Sequence, residues 1–155
     1  MAGATSSISG VHLWLVLMKA HRSLQRHAER SIVEFGLGLS DFAILEVILH
    51  KGSQKVSEIG RRVNLTSGSI TSAIDRLEAA GLVDRSFDGL DRRSRIVELT
   101  ARGRARIAEA FEVHATAMEG AAAGLTRAQR GVLVPLLKKL GAYAEERSGD
   151  DTNDD

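Results

Sequence analysis

The sequence predicts a mainly α-helical fold of the α+β class that contains one small β-hairpin. Six segments are predicted to be helical from their apolar periodicity and capping signals, and two strand-like segments between residues 82 and 100 flank an Asp-Gly turn signal. The composition agrees, because 43% of the residues are hydrophobic and only one is proline. A chain of 155 residues is long enough to bury a core of ordinary size.

The first helix is predicted over residues 9–35. It carries an almost unbroken apolar run from Leu13 to Met18, and a helix that is apolar all round has to be buried on several sides. In a chain of this size, we expect a partner subunit to provide the additional cover. Gly36 and Gly38 are predicted to end the helix, as glycines commonly do at helix C-termini.

The middle of the chain is predicted to form three helices followed by two strands. Ser40 and Thr66 are the expected N-caps of the first and third of these helices, and Asn64 suits a left-handed turn between the second and third. In the third helix, Ile70, Ala73, Ile74 and Leu77 form a regular apolar stripe. The five elements are expected at residues 41–50, 56–63, 67–80, 82–87 and 95–100.

Two further helices are predicted after the strands, at residues 101–122 and 127–146. Thr126 and Gln129 fit a capping box at the start of the last helix. Pro135 lies inside that helix and is expected to kink or split it, because proline removes a backbone hydrogen bond.

The absence of a repeat or a long linker predicts one domain over residues 1–147. Within it, residues 8–36 and 101–147 are expected to be dimerisation helices, and residues 40–100 a separate functional module. Residues 148–155 form an acidic tail that is expected to be disordered and solvated.

Charge is unevenly distributed along the chain. The formal net charge is only +1, but residues 51–106 contain 12 Lys or Arg against 7 Asp or Glu. A basic middle of this kind is suited to contact phosphates. There is no cysteine, which excludes disulfides and thiolate sites. The longest apolar run is far shorter than the roughly 20 residues of a membrane span, so no membrane contact and a cytoplasmic location are expected.

The predicted order of helix, helix, strand, strand over residues 56–103 indicates a winged helix-turn-helix, a module that binds duplex DNA. The 67–80 helix exposes small hydroxyl residues near its N-terminus and one arginine, which can approach phosphates and base edges. Three arginines lie close together at the hairpin tip, where packing does not require them but a minor-groove or phosphate contact would. The Asp91 carboxylate can hold one of these arginines by a charge-assisted bond. The predicted DNA contacts are Ser67, Gly68, Ser69, Thr71, Ser72, Arg76, Asp91, Arg92, Arg93 and Arg95.

Residues 56–103 resemble the MarR family of bacterial transcription regulators. The resemblance is carried by Ile59-Gly60, Ser69-Ile70-Thr71, Asp75-Arg76-Leu77-Glu78, Gly81-Leu82-Val83, Asp91-Arg92-Arg93-Ser94 and Leu99-Thr100-Ala101-Arg102-Gly103. With the flanking helices it covers about residues 8–147. It implies an obligate homodimer built from the first, fifth and sixth helices. Such a dimer would place two DNA-reading helices on a palindromic operator. Members of the family usually act as repressors.

The resemblance also implies a small-molecule effector. Many MarR-like proteins release DNA when an aromatic or phenolic compound binds between the dimer helices and the winged module, and residues 15–28 and 39–52 are similar to a branch that responds to quinones and phenols. Trp14 and His21 lie seven residues apart on one helix face and could stack on a ring and bind its hydroxyl group. The predicted pocket consists of Trp14, Met18, His21, Phe42, Leu45 and Phe111; the alternative for these residues is plain core packing.

Three other functions remain open at this point. Five histidines could form a zinc site in a metal-responsive regulator of the same fold, although no pair has i, i+4 spacing and neither a metal site nor a cofactor is predicted. An enzyme is not expected, because no phosphate loop or catalytic motif is present. A winged helix used only for protein contact would leave the hairpin arginines unexplained.

Overall fold

The computed structural model describes residues 8–87, 89 and 95–150, and these form a mainly α-helical winged helix-turn-helix. The predicted fold class is confirmed. A 3₁₀ turn at Val33–Phe35 follows the first helix. The elements in chain order are α1 (Gly10–Ile32), α2 (Leu39–Lys51), β1 (Gln54–Lys55), α3 (Val56–Arg62), α4 (Ser67–Ala79), β2 (Val83–Phe87), β3 (Arg95–Leu99), α5 (Ala101–Ala121) and α6 (Arg127–Asp150).

The predicted start of α2 was wrong by two residues. Gly38, not Ser40, is the N-cap, and its extended backbone leads directly into Leu39. Leu39 packs against the core, so apolar burial extends the helix beyond the hydroxyl side chain that suggested a cap. Ser40 therefore lies in the first turn of α2 with its side chain exposed. The glycine signal before it was correct, because Gly36 adopts a left-handed conformation with φ of 66°.

The core of the winged module is formed by the apolar faces of α2, α3, α4 and the sheet, together with the first half of α5. The α4 stripe predicted from the sequence is confirmed, since all four of its residues are buried. Gly60 of α3 lets α4 approach closely, because a Cβ there would lie 3.3 Å from Ile70 Cγ2. The largest fully buried side chains are Ile32, Ile44, Leu45, Ile48, Ile59, Ile74, Ile107, Val83 and Val97.

The sheet has three antiparallel strands in the order β1-β3-β2. The two predicted strands are present and pair from Val83 with Leu99 to Phe87 with Arg95. The two-residue strand β1 was not predicted, because it is too short to show an alternating pattern. It pairs Gln54 with Val97 and so connects the start of α3 to the middle of the sheet.

Contacts divide the chain into two units, Met1–Glu119 and Gly120–Asp155. In the second, the predicted capping box is confirmed: the Thr126 N–H donates to Gln129 Oε1 at 2.9 Å, and the Gln129 N–H donates to Thr126 Oγ1 at 3.2 Å. Pro135 does not split α6, which continues through Asp150 into the segment predicted as a tail. The prediction of a single domain over residues 1–147 stays a prediction.

Candidate nucleic-acid interface

Helix α4 begins with a hydroxyl cap that orients a second hydroxyl. Thr66 Oγ1 accepts a hydrogen bond from the Ser69 N–H at 3.3 Å, which confirms the predicted N-cap. The Thr66 hydroxyl in turn donates to Ser69 Oγ at 2.9 Å. Ser69 therefore receives a hydrogen bond and keeps its own hydroxyl hydrogen for a group outside the helix, such as a phosphate oxygen or a base acceptor.

Thr71, by contrast, uses its hydrogen inside the helix. Its hydroxyl donates to the carbonyl of Ser67 at 2.9 Å. The side chain then offers an oxygen acceptor and a methyl group to its surroundings, which suit a base edge better than an acceptor-only phosphate. The predicted hydroxyl residues of α4 are exposed, but they are chemically unequal.

A groove of about 540 Å³ runs between α4 and the start of α2. Four of the six α4 residues predicted to contact DNA line it. Ser40 of α2 also lines the groove and was not predicted as a site residue, because its hydroxyl had been interpreted as a helix cap. The lining residues are Ser40, Leu65, Thr66, Gly68, Ser69, Ser72, Ala73 and Arg76.

One ion pair holds the arginine of this groove. Arg76 Nη2 donates to Asp41 Oδ1 of α2 at 2.6 Å. The Arg76 side chain is 59% exposed and that of Asp41 only 18%, so the carboxylate is the more fixed partner. Asp41 was not predicted as a site residue; its place in the first turn of α2 suits a carboxylate near a helix N-terminus.

A second ion-pair cluster holds the other flank of α4. Arg85 of β2 contacts both Asp75, at 2.7 Å, and Glu78. The Arg85 Nε donates to Glu78 Oε2 at 2.9 Å. The hydrogen bond from Arg85 lowers the pKa of the Glu78 carboxyl, and the bond to Glu78 raises the pKa of Arg85. Helix α4 is thus joined to α2 through Arg76, and to β2, the strand that enters the wing, through Asp75 and Glu78.

The predicted wing residues are only partly described. Arg95 opens β3 and is exposed, with its guanidinium 4.1 Å from the centre of the Phe87 ring. This cation–π contact joins two residues that face each other across the β2–β3 pair. Asp91, Arg92 and Arg93 lie outside the described residues, so their predicted DNA contacts stay a prediction.

The six predicted effector residues occupy two different environments. Trp14 and His21 are exposed on α1, and Met18 is half-buried. Leu45 is fully buried, and Phe42 packs against His114 with ring centroids 4.6 Å apart. The remaining residue, Phe111, is half-buried and makes an edge contact with the His50 ring at 4.8 Å.

A polar contact between α1 and α5 was not foreseen from the sequence. The Ser31 hydroxyl donates to the Ala28 carbonyl at 2.7 Å and lies 2.9 Å from His114 Nδ1. Because that hydroxyl has one hydrogen, Nδ1 has to carry a proton and donate to Ser31 Oγ. The residues are 83 positions apart, and no local pattern marks such a pair.

The same described ranges bear on a metal site and on a membrane span. There, no group of three or more His, Asp or Glu side chains could hold a metal ion. None of the helices described is both long and apolar enough to cross a membrane.

Helices α1 and α6, which belong to different units, each expose several large apolar side chains. On α1 they are Val11, Leu13, Trp14, Leu15, Val16 and Leu24. On α6 they are Val132, Leu133, Val134, Leu136, Leu137, Leu140 and Tyr143. Exposed apolar surface of this extent is typical of a protein–protein interface.

Comparisons with known proteins agree on one family. The MarR family model matches residues 37–94. Two HTH-type transcriptional regulators of Bacillus subtilis (strain 168) are similar: YkoM is 34% identical over 87% of this chain and 88% of its own, and MhqR 33% identical over 86% and 92%. BpsR of Bordetella bronchiseptica, whose DNA binding is regulated by 6-hydroxynicotinic acid, superposes with a TM-score of 0.75 at 25% identity, covering 83% of this chain and 98% of that one.

Proposed function

The chain belongs to the MarR family of helix-turn-helix transcriptional regulators, and on that premise we propose that it is a dimeric repressor released from a palindromic operator by a small aromatic ligand. The observation that carries this proposal is the exposed N-terminal half of α4. It offers the free donor of Ser69 and the guanidinium of Arg76 along one groove, and the acceptor and methyl group of Thr71 on the exposed helix surface. These groups match the major-groove edges of base pairs and the adjoining phosphates.

A homodimer is supported by the apolar surfaces of α1 and α6. Large side chains such as Leu15, which is 51% exposed, and Leu137 gain from burial against a second copy. An interface made from these helices would be of the obligate class, burying more than about 2,000 Å². A two-fold axis would then place two copies of α4 about one DNA turn apart, roughly 34 Å, on a palindrome.

An aromatic effector is supported by a related protein and by the exposed aromatic group on α1. The DNA binding of BpsR is regulated by 6-hydroxynicotinic acid, a small hydroxylated aromatic acid. In this chain Trp14 and His21 are accessible on α1 for stacking and hydrogen bonding. Leu45 would join such a site only after a rearrangement, because it is fully buried here. The ligand would act by binding the DNA-free arrangement more tightly.

The test is a DNA-binding titration with the full chain and the DNA upstream of its own gene. It is run at two salt concentrations, with and without a panel of phenols, quinones and hydroxylated aromatic acids. We expect tight binding that weakens steeply with salt, and release by one compound class. Salt-insensitive association would instead support a protein-contact role. Binding that no aromatic compound changes would remove the effector part of the proposal alone.

A further inference from the structure

We infer that Asp41 is a specificity-determining residue that directs Arg76 toward a base edge and withholds it from phosphates. The inference rests on the proposed DNA-binding function and deepens it. It starts from the 2.6 Å contact between Arg76 Nη2 and Asp41 Oδ1, which joins residues 35 positions apart on α2 and α4. A charge-assisted bond of this length fixes one end of the guanidinium fork.

The pair leaves the rest of the guanidinium available. Arg76 is 59% exposed, and its Nη1 makes only a long contact of 3.5 Å with the Ser72 carbonyl. Asp41 is held by its place in the first turn of α2 and is mostly covered. The carboxylate therefore acts as a fixed support, and Arg76 lines the groove together with Ser69 and Ser72.

The charge of Asp41 affects the binding of Arg76 to phosphates and its binding to base edges differently. Any phosphate attracts an unpaired arginine, whatever the sequence, and each neutralised phosphate steepens the salt dependence by about 0.9. A carboxylate beside the guanidinium cancels most of its net charge and brings a like charge near the phosphates. A guanine edge has neutral acceptors at N7 and O6, so it can bind the paired fork by geometry alone. Asp41 thus weakens the sequence-independent contact more than the sequence-dependent one.

The groove geometry supports this assignment over a purely structural role for the pair. An ion pair that only joins two helices would do so equally well with both side chains covered. Arg76, however, lines the same groove as Ser69 and its free hydroxyl donor. The second arginine associated with α4, Arg85, illustrates the contrast: it is only 23% exposed and contacts two carboxylates, Asp75 and Glu78. Arg85 is suited to tie α4 to the sheet, and Arg76 to bind outside the protein.

The test compares full-length variants on a pool of DNA duplexes with a randomised centre. Asp41→Asn removes the negative charge of the support and leaves only a neutral amide acceptor, and Arg76→Lys keeps the charge but removes the fork. Asp84→Asn is the matched control, because it makes the same charge change on an exposed position of β2. Sequences enriched from the pool give the base preference at each position, and unselected duplexes give the non-specific affinity and its salt slope.

Wild type and Asp84→Asn are expected to select the same G-containing palindrome. Asp41→Asn and Arg76→Lys should both lose preference at one symmetric position, with discrimination there reduced about tenfold or more. Asp41→Asn should also bind unselected DNA more tightly than Asp84→Asn does, with a salt slope steeper by about 0.9 for each subunit whose Arg76 gains a phosphate contact. These shifts are not expected from a merely structural tie, whose loss would lower thermal stability and all affinities together.

Two outcomes would overturn the inference while leaving the proposed function standing. Either Asp41→Asn selects the wild-type palindrome with unchanged preference at every position, or its non-specific affinity rises no more than that of Asp84→Asn. A wild-type protein that enriches no sequence at all would instead contradict the proposed function. A global loss of affinity in Asp41→Asn with a lowered melting temperature would assign the pair to stability.

Discussion

Replacing Gly103 with alanine is expected to destabilise the protein by about 1–5 kcal/mol. A Cβ built on Gly103 would lie 1.8 Å from the carbonyl oxygen of Leu82 and 2.7 Å from its carbonyl carbon. Neither partner is free to turn away. The Leu82 oxygen accepts from the Thr100 N–H at 3.1 Å, and the Gly103 N–H donates to Thr100 Oγ1 at 2.9 Å.

The magnitude follows from the displacement that the methyl group requires. Reaching even 3.0 Å demands that the start of α5 and Leu82 separate by about 1.2 Å. Such a shift costs about 1–3 kcal/mol in strain and weakens two hydrogen bonds worth about 0.5–1.5 kcal/mol each. The better helix propensity of alanine returns about 1 kcal/mol. The balance is destabilising across the whole range.

Urea denaturation followed by helical circular dichroism measures the effect, at one protein concentration because the proposed dimerisation would make the apparent stability depend on concentration. Gly120→Ala in the same helix is the control, since a Cβ there has nothing within 4 Å. This control should unfold at the wild-type midpoint or slightly above it. A Gly103→Ala variant that is as stable as wild type would refute the close approach of α5 to Leu82.

Three other predictions test separate parts of the structure. The Arg85 hydrogen bond holds the pKa of Glu78 below its ordinary value. This contact therefore stabilises the fold at pH values above the pKa of Glu78 in the unfolded chain, and its contribution is lost as the pH falls through the lower pKa of the folded protein. Glu78→Gln should flatten the acid side of a stability-versus-pH curve, and an unchanged curve would contradict the contact. Leu137→Asp should convert the proposed dimer to monomers in light-scattering chromatography, because a charge would enter the apolar interface proposed for α6; a dimer that persists would place the interface elsewhere. Thr66→Ala should cost about 1 kcal/mol in urea denaturation through loss of the α4 cap, whereas Thr66→Ser should cost much less.

Local sequence signals predicted most of the fold because each acts over one helical turn. Thr66 as a cap, Asn64 with φ of 54°, and the Thr126 capping box were confirmed for this reason. The misplaced N-cap of α2 shows the limit of such signals. Ser40 has a capping side chain, but the burial of Leu39 against a distant core decided where the helix begins.

The candidate site was less accessible to sequence reasoning because its decisive contacts are long-range. The exposed α4 residues followed from helical periodicity, and the structure places them where that pattern puts them. The partner of Arg76 could not be predicted in this way, because Asp41 lies on another helix and belongs to no recognised motif. The Ser31–His114 contact across 83 positions is the same case. Pairs of this kind depend on how helices cross, which one sequence does not reveal.

The contacts around α4 constrain how a ligand could release DNA. Asp41 joins α4 to α2, Arg85 joins it to β2, and the close packing of Gly60 against Ile70 joins it to α3. Moving α4 alone would therefore break three ion pairs and open a close-packed helix contact at once. A ligand supplies only its difference in affinity between two states, and tilting the whole module requires none of these losses. The proposed effector should thus change the spacing between the two modules of a dimer while each module keeps its internal structure.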